Sequence, residues 1–242
     1  MNGKRTALIT GANKGIGLET ARQLGQRGMT VLVGARDHER GTRAVETLRS
    51  EGLDARLIDL DVTDAARIKQ CVTCIERDVG RLDVLVNNAG IILGRPKPSE
   101  TQLDEVRRVF EVNVFAAVAV TNAMLPLLRR ASPAARIVMV SSEIGGLSNH
   151  SDPTWQYAWF NAIAYPASKA ALNMVTVQYA KELANAGIKV NAADPGYTAT
   201  DFNGNRGTQT VDEGARASVK LALLDDDGPT GGFFDARGRL PW

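Results

Sequence analysis

"TGANKGIG", residues 10–17, is the stretch on which the fold turns. It follows "TALIT" (6–10), a short apolar run of strand character, and it opens a segment, 15–27, with helical periodicity. Gly11, Gly15 and Gly17 stand at the turn between the two, with Asn13, Lys14 and Ile16 filling the space between them. Glycine at such a turn lets the backbone approach a pyrophosphate, whose charge is favoured by free amides and by the positive end of the helix. A tight turn that only packs helix against strand asks for the same glycines. Position decides, because a strand, turn and helix unit at the head of a repeating series is where a dinucleotide binds.

The series continues along the chain. Branched, apolar runs recur at 30–35, 55–61, 82–88, 136–142, 188–194 and 231–236, with amphipathic segments at 38–51, 64–79, 100–130 (two helices), 165–186 and 212–224. The runs do not alternate strictly, as expected of strands buried on both faces of a parallel sheet. Repeated right-handed βα units give an α/β, single-domain, Rossmann-type doubly wound parallel sheet of about seven strands with helices on both faces. No linker or repeat divides residues 1–242. Two stretches break the rhythm, 143–164 and 197–210; both follow strand ends, where such sheets bind ligands, and read as a substrate-side insertion and a lid loop.

Composition sets outer bounds. The 242 residues are 44% hydrophobic and 23% charged with formal net charge +2, which asks for neither nucleic acid nor a membrane surface. "MNGKRTALIT" enters the first strand without a signal core, and no apolar stretch approaches bilayer-spanning length, so a cytoplasmic protein is expected. Cys71 and Cys74 share a helical segment with Ile68, Val72, Ile75 and Val79 and read as packed bystander thiols rather than a metal or redox pair.

Chemistry enters at "AYPASK", 164–169. Pro166 belongs in a helix's first turn, and the four-residue spacing puts the Tyr165 phenol and the Lys169 ammonium on one face. Hydride reduction of a carbonyl leaves negative charge on oxygen, so a proton donor and a polarising group are needed there. Tyr165 is the donor, with its phenol tuned downward by the Lys169 cation, and Ser142, ending the fifth strand, donates to the same oxygen. Ser141 is the rival hydroxyl. His38 and His150 lie in a charged turn and in the insertion, and are poor bases. Asn113, amid the apolar helical sequence "FEVNVFAAVAV", marks a helix irregularity, a bound water or a satisfied core amide. No metal is called for.

"TGANKGIG", "NNAG" (87–90), Asn113, Ser142 in "VSS", "YPASK" and "DPGYTATD" (194–201) together resemble the ordered motifs of the classical short-chain dehydrogenases/reductases, over essentially the whole chain. The resemblance implies a nicotinamide cofactor and a catalytic set of Asn113, Ser142, Tyr165 and Lys169. It favours Ser142 over Ser141, makes Tyr165 and Lys169 cofactor-binding as well as catalytic, with Lys169 on the nicotinamide ribose, and gives the backbone of Asn113 a water leading to solvent. It also implies that Asp61 and Val62 border the adenine and Asn88, Ala89 and Gly90 the ribose, with Pro195, Gly196, Thr198 and Thr200 closing over the nicotinamide end. Two local alternatives stand: Asp61 caps the helix near Asp64, a role Thr63 fills better, and Asn88 to Gly90 simply stabilise a turn.

Ala35 stands where the family carries an acid at the end of the second strand, with Arg36 beside it. Arg36 can grip a 2'-phosphate and Lys14 can add charge, which predicts NADP(H); ordinary surface charges are the alternative. Asp37 opens the next helix. Ser142 and Tyr165 are 23 positions apart, wider than in the family's commonest members. The surplus holds Trp155, Tyr157, Trp159 and Phe160 and resembles the insertion of the monomeric carbonyl reductases. Trp155 and Trp159, with Ser142 and Tyr165, are read as contacting a bulky, apolar carbonyl substrate; aromatics that cap the surface are the alternative. The expectation is an NADPH-dependent carbonyl reductase, favoured as a monomer. A secondary alcohol dehydrogenase working oxidatively and a non-catalytic NADP sensor are the competing readings.

Overall fold

In the computed structural model, which describes residues 4–242, strands and helices alternate as the periodicity predicts. The chain runs β1 (Thr6–Thr10), α1 (Gly15–Gln26), β2 (Thr30–Ala35), α2 (His38–Ser50), β3 (Ala55–Asp59), α3 (Ala65–Asp78) and β4 (Val84–Asn87). It continues through α4 (Leu103–Phe110), α5 (Ala116–Arg130), β5 (Arg136–Val140), α6 (Leu147–His150), α7 (Ala164–Leu183), β6 (Lys189–Ala193), α8 (Val211–Ala222), β7 (Phe233–Phe234) and β8 (Arg239–Leu240). One sheet results, in the order β3-β2-β1-β4-β5-β6-β7-β8, parallel except for the β7–β8 pair.

β1, β2, β4 and β5 are buried at every position, which is why their sequences show no alternation. Leu8, Leu32, Leu85, Ile137 and Val190 face one helical layer with Ile75, Met124 and Leu183. Ile9, Val33, Val86 and Val138 face the other, with Leu24, Leu48 and Val219. The chain steps from β1 outward to β3 and then returns to β4 on the far side of β1. That reversal opens a crevice at the carboxyl ends of β1 and β4, where the glycine turn lies.

The expected sheet of about seven strands is found, and three local expectations are corrected. The sheet has eight strands: the run expected at 231–236 pairs over only two residues, and the polar tail folds back as β8, with Trp242 stacked on Phe233 at 5.6 Å. The segment 100–130 is not two separate helices, because α4 and α5 join through a π-helical turn, Glu111–Phe115. Leu103–Arg130 is therefore long and apolar enough to cross a bilayer, contrary to the sequence reading. Half of its most apolar window is buried, and Asn87 donates to its Thr121 at 2.9 Å, as befits a core helix. Finally, α3 is capped by neither Asp61 nor Thr63 but by Asp64, whose carboxylate accepts from the Ala66 and Arg67 amides.

Other expectations hold in place. Asp37 caps α2 by accepting from the Arg40 amide, and Pro166 sits in the first turn of α7. Cys71 is buried in the core, its thiol pushed up to about 12 by burial, and both cysteines are free.

Candidate active site

The glycine turn needs its glycines. Gly15 has φ +57°, and a Cβ on Gly17 would fall 2.4 Å from Asn88 Nδ2 and 2.8 Å from the Gly11 carbonyl oxygen. Asn88 is engaged there because its amide donates to the carbonyls of Thr10 and Gly11, at 2.8 and 3.2 Å. The Ala89 backbone donates to the Thr10 hydroxyl. The turn-stabilising role is thus visible for Asn88 and Ala89, and it holds the end of β4 against the glycine turn. Asn13 and Ile16 are half-buried in that turn.

Arg36 is exposed just beyond β2 and makes no ion pair among the described residues, although its charge acts on Asp61. Burial works to raise the Asp61 carboxyl, but the Thr63 amide and hydroxyl and the charges of Arg36 and Arg67 outweigh it and hold it below its ordinary range. Val62 packs against the core beside it. Lys14 differs from expectation in having a partner, Asp201 of the 197–210 loop, at 2.9 Å. Thr200 of that loop lies over the turn, its methyl 3.5 Å from the Cβ position of Gly15. Thr198 is buried, and its hydroxyl is spent on the Pro195 carbonyl at 2.9 Å.

The four catalytic candidates converge at the carboxyl edge of β5. Tyr165 and Lys169 share one face of α7, and the Ser142 hydroxyl is near enough to the phenol to favour its ionised form. Ser141 is buried and turned away, donating to Asn173 Oδ1 at 2.5 Å. Asn113 sits in the π-helical turn, where it accepts from the Ile91 amide (2.8 Å) and donates to the Ile91 carbonyl (3.0 Å) and the Ser168 hydroxyl (3.0 Å). The irregular turn is what carries a buried asparagine side chain out of the helix to the loop after β4. Ser168 in turn donates to the Tyr165 carbonyl at 2.7 Å. A Cβ on Gly90 would lie 3.4 Å from Asn113 Oδ1 and 3.8 Å from Lys169 Nζ, so these three meet.

Burial pushes the Tyr165 phenol up; the Ser142 hydroxyl and the Arg95 charge work against it, and Asp194 adds to it. Lys169 stands with its Nζ 5.6 Å from the centre of the phenol ring. Its ammonium, buried and donating to the Val140 carbonyl at 2.7 Å, is itself pulled down to about 8 by burial, opposed by Asp194. Asp194, at the end of β6, is pushed up to about 7 by burial and by Glu143.

The insertion forms a chain of ring contacts: His150 to Trp155, Trp155 to Tyr157, Tyr157 to Trp159, and Trp159 to Phe160. Trp155 also donates to Glu143 at 3.4 Å, while Trp159 is 61% exposed and covered by the Arg95 guanidinium. Sequence reasoning passed over Arg95, Phe202, whose ring lies 5.7 Å from Tyr165, and Tyr197, which meets Tyr157. It also passed over Asp194, although an acid ending an apolar strand was a readable signal. His38 pairs with Asp59, and His150 with the Ile144 carbonyl.

A Rossmann-type sheet with a tyrosine, lysine, serine and asparagine at its carboxyl edge defines a dinucleotide-linked oxidoreductase. Residues 5–210 match the family model described as short chain dehydrogenase, and the chain belongs to that family. It is 39% identical over 227 residues to the short-chain dehydrogenase anuI of Penicillium roqueforti (90% of this chain, 88% of that one). It is 32% identical over 285 residues to carbonyl reductase (NADPH) 1 of Pongo abelii (100% and 99%). Among solved structures it resembles the NADPH-bound carbonyl reductase from chicken fatty liver, with TM-score 0.86, 28% identity and 99% of each chain covered.

Proposed function

We propose that the chain reduces the carbonyl of a bulky, largely apolar ketone or aldehyde to an alcohol with NADPH. The observation that carries this is the convergence of Tyr165 with Ser142 at the carboxyl edge of β5, with Lys169 5.6 Å from the phenol ring and Asn113 beside it. The cofactor fits this chain's residues: the Gly17 cradle has no room for a Cβ, and Arg36 is an exposed cation without an ion pair among the described residues. Relatives and structural neighbours named for NADPH point the same way.

Bound NADPH supplies the hydride. Ser142 donates to the substrate oxygen and polarises the carbonyl. Tyr165 gives that oxygen its proton as negative charge develops, which is general acid catalysis. Lys169, on the same face of α7 as Tyr165, would hold the nicotinamide ribose; Asn113 fixes the loop after β4 against Ser168 and α7. The phenol's raised pKa keeps it protonated, which suits a donor acting on an alkoxide-like oxygen. Pro195, Gly196 and Thr200 close the nicotinamide end. We place the enzyme in the cytoplasm, where free thiols such as Cys71 and Cys74 persist.

The test is loss of reduced-nicotinamide absorbance with a panel of aromatic and terpenoid ketones, using Tyr165→Phe as control. Turnover abolished by the substitution is expected. Equal turnover in the variant, or NADPH binding with no turnover of any carbonyl compound, overturns the proposal.

A further inference from the structure

A cavity of about 230 Å3 begins one residue beyond Ser142. Its wall includes Glu143, Tyr157, Asp194, Tyr197, Asp235 and Arg237, together with Pro195 and Gly196 at the proposed nicotinamide end. Neither Tyr165 nor Ser142 lines it, so it adjoins the reacting position rather than forming it. Strand register explains the adjacency. Val140 pairs with Ala193 across β5 and β6, so the residues that follow, Ser142–Glu143 and Asp194, leave the sheet side by side.

The cavity's charge is one-sided. Four carboxyls, Glu143, Asp194, Glu213 and Asp235, line it against a single guanidinium, Arg237, which is spent on Asp235 at 2.8 Å. Asp194 is only 5% exposed, and its carboxyl accepts solely from the backbone amides of Glu143 (3.3 Å) and Gly196; among the described residues no side chain donates to it. Among the described residues, Glu143 receives only the neutral Trp155 indole at 3.4 Å and Gln156 amide at 3.5 Å. Neither acid has a hydrogen-bonded cation among the described residues, although the Arg237 charge reaches both and Asp194 acts on the Lys169 ammonium; burial remains the largest influence and pushes both carboxyls up. Tyr157 and Tyr197, with ring centres 6.3 Å apart and planes at 65°, add π faces that attract a cation.

We infer that this cavity is a subsite for a cationic amino group on the carbonyl substrate, seated between the Glu143 and Asp194 carboxylates and walled by Tyr157 and Tyr197. The inference rests on the carbonyl-reductase reading and specifies its substrate class: amine-bearing ketones or aldehydes, apolar around the carbonyl and positive at the far end. Anionic carbonyl compounds are excluded by the same charge.

The probes are 4-(aminomethyl)acetophenone, cationic at pH 7.5, and its near-isostere 4-ethylacetophenone. In the native chain with NADPH, kcat/KM for the cationic ketone should exceed that for the neutral one by about tenfold or more, the scale of one charge-assisted hydrogen bond. Glu143→Gln should cut that ratio by about fivefold or more, as should Asp194→Asn. A native ratio near one, or a ratio that neither substitution moves, overturns the inference while leaving ketone reduction standing. If neither ketone turns over, calorimetry of the amine with the native chain decides. Binding that Glu143→Gln weakens keeps the subsite and leaves the reductase to the wider panel of ketones; no binding overturns the subsite.

Discussion

Lys169 does not reach the hydroxyl of Tyr165: its Nζ lies 5.6 Å from the centre of the phenol ring and donates to the Val140 carbonyl. The pair shares a helix face, as the four-residue spacing requires, yet the ammonium hydrogen-bonds the sheet, at 2.7 Å from the Val140 carbonyl. Tyr165 is therefore held protonated by burial, with the Ser142 hydroxyl beside it. Replacing Tyr165 by Phe should lower kcat by about 10²- to 10⁴-fold, the usual worth of a positioned general acid. NADPH affinity, read by fluorescence titration, should change little. Loss of both together would mean that the residue serves cofactor binding instead.

Arg36 has no ion pair among the described residues, so its charge is free for a phosphate. Arg36→Asp should weaken NADPH by about 10- to 100-fold, as loss of a charge-assisted contact does, and NADH by far less. Equal losses for the two cofactors would refute the assignment.

Asp194 makes stability depend on pH with a definite sign. Its native pKa, about 7, stands above the ordinary 3.8, so between those values the native state binds more protons than the unfolded chain. Stability should therefore fall as pH rises from about 4 to 7. Lys169 works in the next window. Its native pKa, about 8, lies below the ordinary 10.5, so the unfolded chain binds more protons there and stability recovers between those values. Thermal melts of Asp194→Asn should lose the lower-pH decline while keeping the recovery; an unchanged decline would locate its source elsewhere.

Gly17 tests the cradle. Gly17→Ala would place its Cβ 2.4 Å from Asn88 Nδ2, and overpacking of this kind costs about 1 to 3 kcal/mol. A lower denaturant midpoint and weaker NADPH binding are both expected; a variant with native affinity would show that the turn yields.

Assembly is open to direct measurement. A monomer is expected from the insertion, yet Met174 of α7, Phe115 and Leu103 remain 59%, 55% and 68% exposed. Sedimentation at micromolar concentration should give one 26.0 kDa species. A dimer dissociated by Met174→Glu would show that these side chains form an interface.

Much of this was legible in one dimension. Apolar runs without alternation announced strands buried on both faces, and the glycine turn after the first of them located the binding edge. Helix-face spacing joined Tyr165 to Lys169, because such signals are local and depend on periods of two and 3.6 residues. The tertiary structure alone decided which groups meet across strands. It brought Asp194 beside Glu143, sent the Lys169 ammonium to Val140, paired Lys14 with Asp201, and laid Arg95 over Trp159. Burial and charge at these points depend on neighbours tens of residues away, so the proton affinities of Tyr165, Lys169 and Asp194 belong to the folded chain and to no segment of it.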